Sequence, residues 1–182
     1  MLPTIPWEKY NDDVCFDDNL LWTIRTAIYR GNDLNLPRKV GVKAHEAKEF
    51  ADNVLKRIGD NGIVIYYPFF LAEKSGTLNI FNNKYVIEAV REDLWNLVTY
   101  SDREVTIITS GDIIEFNGNR EFITEGEFCE LLSYVKYINR AYRDELLAGK
   151  SILLEWSYAY NCDINKQKLG ERYLVFYEVR SV

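Results

Sequence analysis

Strand-forming segments outnumber helix-forming ones in this chain, and they come in runs. That ordering constrains the fold more than any single motif. Residues 62–71, 77–81, 85–90, 104–109, 113–116, 152–160 and 173–182 are rich in β-branched and aromatic residues. Only two stretches have clear helical spacing. From Lys43, the residues Ala44, Ala47, Phe50, Val54, Leu55 and Ile58 recur on one helical face, and Gly59 supplies a stop. Over residues 124–147, Thr124 and Glu127 form a Thr-x-x-Glu capping box. Phe128, Leu131, Leu132, Val135, Ile138 and Tyr142 continue as an apolar stripe, and Gly149 follows as a C-cap. Strands in runs, without strict βαβ alternation, predict an α+β fold: a largely antiparallel sheet with two main helices.

The remaining stretches are read from their punctuation. Residues 7–18 are polar and acidic and predict irregular structure. Residues 20–29 are apolar but too short for periodicity to separate strand from helix. Residues 31–41 read as a loop, broken by Gly31, Asn32, Asp33, Asn35 and Pro37. Asn82-Asn83 predicts a hairpin turn between two strands, because Asn tolerates positive φ. Ser110-Gly111-Asp112 joins two more. A polar connection over 161–171 links the last two strands. The length, 182 residues, suits one domain, with 19–110 and 111–182 as its subdomains.

Net charge is −6 and the pI about 5.0. The longest basic cluster is Arg38, Lys39 and Lys43, so nucleic acid is excluded as an expected partner. No run of about 18 apolar residues occurs and residues 1–8 lack a signal-peptide pattern, so no membrane span is expected and the predicted location is cytoplasmic. Cys15, Cys129 and Cys162 are widely spaced, and His45 is the single histidine. Neither a zinc motif nor a nucleophile triad is predicted from them, and three reduced thiols are expected. His45 is expected on the exposed side of its helix.

Chemistry concentrates in the last hairpin. Glu155 interrupts the apolar run Ile152-Leu153-Leu154-Glu155-Trp156, and Glu178 interrupts Phe176-Tyr177-Glu178-Val179. Alternation puts Leu174, Phe176, Glu178 and Arg180 on one face. If the two strands pair, both carboxylates come together and need a cation or an arginine beside them. Mg²⁺ suits such a pair, completing its shell with water and nucleotide phosphates. The competing reading makes both glutamates solvated residues of an amphipathic hairpin. Arg25, inside Leu21-Trp22-Thr23-Ile24-Arg25-Thr26-Ala27, requires an anionic partner: a structural carboxylate or a phosphate.

Ordered along the chain, these segments resemble the C-terminal part of the ATP-grasp domain of phosphoenolpyruvate synthase and pyruvate phosphate dikinase. Ile24-Arg25-Thr26-Ala27 is similar to the family's phosphate-binding V-R-S-S-A strand. Ser75-Gly76-Thr77-Leu78 and Val86-Ile87-Glu88-Ala89 are similar to its next two strands. Leu154-Glu155-Trp156 looks like its I-E-W strand, and residues 173–182 like its final strand, with Glu178 where the family has Gln. The resemblance spans about residues 22–182. It implies a single, truncated ATP-grasp-like domain that binds MgATP. Glu155 and Glu178 would hold the metal, and Arg25 and Arg180 the phosphates. The family's Gly-Gly-Lys segment has no counterpart, its G-L-G-E stretch reads Glu92-Asp93-Leu94-Trp95, and His45 fits no phosphohistidine motif. An active form would therefore be an ATP-dependent phosphotransferase-type component working with another subunit. The alternative is a non-catalytic pseudoenzyme, a regulatory or assembly subunit in a hetero- or homo-oligomer, using aromatics expected at the surface such as Trp95, Tyr66 and Tyr67. A binder of some other anion is the third reading.

Overall fold

The computed structural model describes residues 1–31, 36–82, 84–100 and 103–182. The fold is α+β, with antiparallel sheets and two main helical regions. It divides into two compact units woven from separate stretches of chain. One comprises Met1–Thr4, Ala72–Ala159 and Arg172–Val182; the other comprises Ile5–Leu71 and Tyr160–Glu171.

The second of these units, the helix-backed unit, has a four-stranded sheet. Its strands are β1 (Glu8–Lys9), β2 (Trp22–Ile28), β3 (Arg38–Val42) and β4 (Gly62–Pro68), in the order β1-β4-β2-β3. The ambiguous 20–29 stretch is thus a strand. Helix α1 (Ala44–Ile58) lies where its spacing predicts, burying Ala44, Ala47, Ala51 and Val54 against Trp22, Ile24 and Val64. Three alanines on that stripe leave room for the helix backbone to approach the sheet. Because strand residues alternate, Thr23, Arg25 and Tyr67 occupy the sheet face turned away from α1.

The loop expected over 31–41 is corrected in part: residues 38–42 form β3, while 32–35 lie outside the described residues. The register explains why breakers sit there. Trp22 faces Val42 but Ile24 faces Lys39, so β3 carries an extra residue, and Gly41 at φ +65° takes up the bulge.

The other unit, the sandwich unit, has a six-stranded sheet in the order β10-β9-β5-β6-β7-β8. Its strands are β5 (Phe70–Phe81), β6 (Lys84–Arg91), β7 (Val105–Ser110), β8 (Ile113–Gly118), β9 (Ile152–Cys162) and β10 (Lys168–Ser181). Strands β9 and β10 run longer than expected, so their connection is shorter than the predicted 161–171. The described half of the Asn82-Asn83 turn has Asn82 at φ +50°, as its residue type allows, and Phe81 pairs with Lys84. One sheet face carries the main core: Leu78, Ile80, Ile87, Ile107, Leu154, Trp156, Leu174 and Phe176, covered by Leu131, Val135 and Ile138. A smaller cluster of Val90, Leu94 and Leu97 includes one residue, Leu97, of α2 (Trp95–Tyr100), a helix the spacing did not reveal.

The single long helix expected over 124–147 is three: α3 (Glu125–Ser133), α4 (Val135–Ala141) and α5 (Arg143–Leu147). It tightens at Tyr134, whose N–H reaches the Leu131 carbonyl, and turns at Tyr142, with φ −115° and ψ 32°. The capping box is present. Thr124 Oγ1 accepts from the Glu127 N–H at 3.2 Å, and Glu127 Oε2 accepts from the Thr124 N–H at 2.8 Å.

Candidate functional site

The sandwich unit brings together three of the four residues singled out from the sequence. Ser151 and Val182 exchange both backbone hydrogen bonds, fixing β9 against β10 as an antiparallel hairpin. Above that start, one guanidinium spans the two carboxylates. Arg180 lies 3.3 Å from Glu155 Oε1 and 3.6 Å from Glu178 Oε1. The Glu155 side chain is 14% exposed and that of Arg180 50%, so the cation sits on the solvent side.

The expected sharing of one face by Leu174, Phe176, Glu178 and Arg180 is not met. Leu174 and Phe176 enter the core, but Val179 also packs against it. Arg180 reaches Glu155, whose strand neighbours Leu154 and Trp156 are the core-facing ones. The alternation of β10 therefore slips between Phe176 and Val179.

The two carboxylates are oxygen donors of the kind Mg²⁺ takes. Their mutual repulsion, however, is already met by Arg180, and among the described residues no group of three or more His, Cys, Asp and Glu is placed to hold a metal ion. In composition the donor set fits a structural ion triad better than a resident metal centre.

Beside this triad lies a buried polar chain that sequence reasoning missed. Ser75 Oγ donates to the Glu92 carbonyl, and Ser157 Oγ is 2.8 Å from Ser75 Oγ. Both serines are buried. Tyr177 hydrogen-bonds Ser157. Burial drives its phenol well above the ordinary range, the Ser157 bond offsets part of that, and the carboxylates of Glu155, Asp93 and Glu178 add to the rise. Glu92 holds φ +57°, a conformation glycine takes freely, in the segment where the resemblance expects glycines.

Glu127 has a second role. It is 4% exposed, and its carboxylate accepts from Lys74 Nζ at 2.9 Å and Arg172 Nη2 at 2.7 Å. Arg172 also pairs with Glu73 at 2.9 Å. Burial alone would raise the Glu127 carboxyl; Lys74, the Thr124 amide and Arg172 outweigh it and hold the group below the usual carboxylate range. Tyr158 closes this cluster by donating to Glu130 Oε2 at 2.7 Å. Only the capping role of Glu127 was visible in the sequence; Lys74 and Arg172 are far from it along the chain.

In the helix-backed unit, Arg25 is directly opposite Arg38 across the β2–β3 ladder. Tyr67 lies on the same sheet face and is buried, a correction to its expected exposure, whereas Trp95 is 55% exposed. Burial pushes the Tyr67 phenol up. Arg25, by charge and by a hydrogen bond, and Arg38, by charge, pull it part of the way back. Arg25 thus meets the hydroxyl directly, while Arg38 acts on it through its charge alone. The same unit has a cavity of about 250 Å³ lined by Val14, Cys15, Phe16, Asp18, Ala44, His45 and Lys48. His45 is exposed on α1, as predicted, and the three cysteines are free thiols.

No known family model matches this chain, and no curated protein is similar to it. Neither comparison identifies an ATP-grasp domain. Among the described residues no helix is long and apolar enough to cross a membrane.

Proposed function

We propose that the chain is a binding module for a phosphate-bearing anion, with a nucleotide as the class the family resemblance suggests. The observation that carries the reading is the placing of Arg25 opposite Arg38 on one sheet face, with Arg25 hydrogen-bonded to the buried Tyr67 hydroxyl. Two guanidiniums on one sheet face offer a doubly charged anion two sets of charge-assisted donors. A guanidinium offers parallel N–H donors at the spacing of phosphate oxygens, so two of them beside a phenol supply orientation as well as charge. Any Mg²⁺ would arrive with the nucleotide, and the Glu155–Arg180–Glu178 triad is not asked to hold it.

Thermal unfolding with ATP, with MgATP and with inorganic phosphate tests this. A ligand at about 100 times its Kd adds about 2.7 kcal/mol, which for a domain of this size is a rise in Tm of about 5–10 °C. Arg25→Gln and Arg38→Gln should each abolish most of the rise while leaving the ligand-free Tm within a few degrees. No shift at millimolar concentrations of any of the three would sink the proposal.

The second reading, a non-catalytic regulatory or assembly subunit, is favoured by one specific observation. Arg180 occupies the gap between the two carboxylates that the resemblance assigns to metal, as expected of a site converted to structure. A chain that binds nucleotide yet transfers no phosphoryl group to any acceptor fits both readings together.

A further inference from the structure

The six-stranded sheet treats its two edges differently. At β10, Pro3 and Thr4 lie alongside the strand: the Phe176 N–H donates to the Pro3 carbonyl at 2.8 Å, and Thr4 bridges Phe176. At β8 no described strand follows, and every residue from Ile113 to Gly118 is exposed. Ile113 is 62% exposed, Ile114 48% and Phe116 37%. The strand has neither lysine nor proline, the usual guards of a free edge.

The hydrogen-bonding parity of that edge can be worked out. Gly111 and Asp112 are the two central residues of the β7–β8 hairpin. Gly111 has φ +59° at the first central position, where type II′ turns take glycine. The flanking residues Ser110 and Ile113 therefore make the hydrogen-bonded pair. At the far end the Asn119 N–H donates to the Glu104 carbonyl at 2.7 Å, which agrees with the same alternation. So Ile113, Glu115 and Asn117 point their backbone groups at β7, and Ile114, Phe116 and Gly118 point theirs outward. Ile114 and Phe116 face Thr109 and Ile107 across the ladder, so their side chains lie on the core-bearing face, at its uncovered margin.

We infer that β8 is the interface through which a second copy of this chain docks, antiparallel about a two-fold axis, joining two six-stranded sheets. Of the registers centred on Ile114, Glu115 and Phe116, one is self-complementary. Centring the axis on Glu115 sets the two Glu115 carboxylates directly opposite, which is unfavourable. Centring it on Ile114 sets Asp112 against Phe116 and wastes the far half of the strand. Centring it on Phe116 stacks the two Phe116 rings, gives Ile114 the space over Gly118 of the other copy, sets Glu115 against Asn117, and leaves Asp112, in the hairpin turn, and Arg120, in the turn after the strand, at the same two ends of the ladder. Arg120 already lies over its own Phe116 ring at 4.7 Å, within reach of that position. Charge complementarity repeated twice by symmetry is what selects a second copy over an unrelated peptide.

Sedimentation velocity over a wide concentration range tests the inference on the whole chain. The weight-average mass should climb from 21.4 kDa towards twice that value as concentration rises. Ile114→Pro removes only an outward-pointing N–H, so it should keep the fold, by circular dichroism, and stay monomeric. Asp112→Arg should weaken dimerisation at least tenfold, and the double reversal Asp112→Arg with Arg120→Asp should restore it. A wild-type chain that stays monomeric throughout overturns the inference. So does a dimer that survives Ile114→Pro, or a double reversal no better than the single one.

Discussion

Lys74 Nζ donates to both oxygens of the Glu127 carboxylate, at 3.0 and 2.9 Å, linking the first half of β5 to the N-terminus of the sandwich unit's helical layer. Glu127 is buried, and its other partners are Arg172 and the Thr124 N–H. Removing the carboxylate takes the ion-pair partner from the largely buried Lys74 and leaves Arg172 with Glu73 alone. Glu127→Gln should cost about 3–5 kcal/mol, because an uncompensated buried charge is worse than no charge. Lys74→Met should cost less, since Arg172 remains. Urea midpoints at neutral pH check both, and equal midpoints for wild type and Glu127→Gln would show the network to be unimportant.

The same carboxyl gives a pH dependence of known sign. Its folded-state pKa lies below the ordinary value, so its contribution is fully present above that value and is lost as pH falls through the folded one. The urea midpoint should drop below about pH 4.5, and the drop should be shallower in Glu127→Gln. Tyr66 has the opposite sign. Burial, with help from a 2.7 Å hydrogen bond to Glu8, pushes its phenol up to about 12. Its contribution is present below pH about 10 and lost on the way up to its folded value. Tyr66→Phe should flatten the alkaline limb measured by the same denaturation series.

Arg180 is half-exposed, so deleting it costs little directly, under about 1 kcal/mol. The sharper effect is on what it leaves behind. In Arg180→Gln, Glu155 and Glu178 lose the cation between them, and divalent cations should then raise the Tm. The wild-type chain without nucleotide should show no such rise. If Mg²⁺ stabilises the wild type equally, the triad reading is wrong and the carboxylates are a metal site.

Gly76 has no room for a side chain. A Cβ there would collide with the Glu88 carbonyl and the buried Trp156 ring. Gly76→Ala should cost about 1–3 kcal/mol by overpacking. It should also alter the near-ultraviolet circular dichroism of Trp156. A silent substitution would mean that the sheet and the indole do not meet as described.

Much of this fold could be read from residue order. Helix α1 followed from its apolar spacing, the α3 start from Thr124 and Glu127, and the α+β class from strands in runs. What could not be read depended on partners distant in sequence. Arg38 to Val42 looked like loop because Gly41 and Pro37 are breakers; only pairing with β2 turns that glycine into a bulge. Glu155 and Glu178 were expected together and are together. Alternation put Arg180 beside Glu178; that both lie on the face opposite Leu174 and Phe176 depended on a phase slip in β10, which strict alternation cannot anticipate. The Arg25–Arg38 apposition was equally hidden, because β3 itself was.

The bond between Phe176 and Pro3 sets a schedule for synthesis. Pro3 and Thr4 are made long before the strand they flank. The sandwich unit therefore stays incomplete while the helix-backed unit, mostly continuous from Ile5 to Leu71, already has its helix and four strands in hand. Until translation reaches β10, the nascent chain carries an unfinished sheet, and that interval is when a chaperone would have most to do.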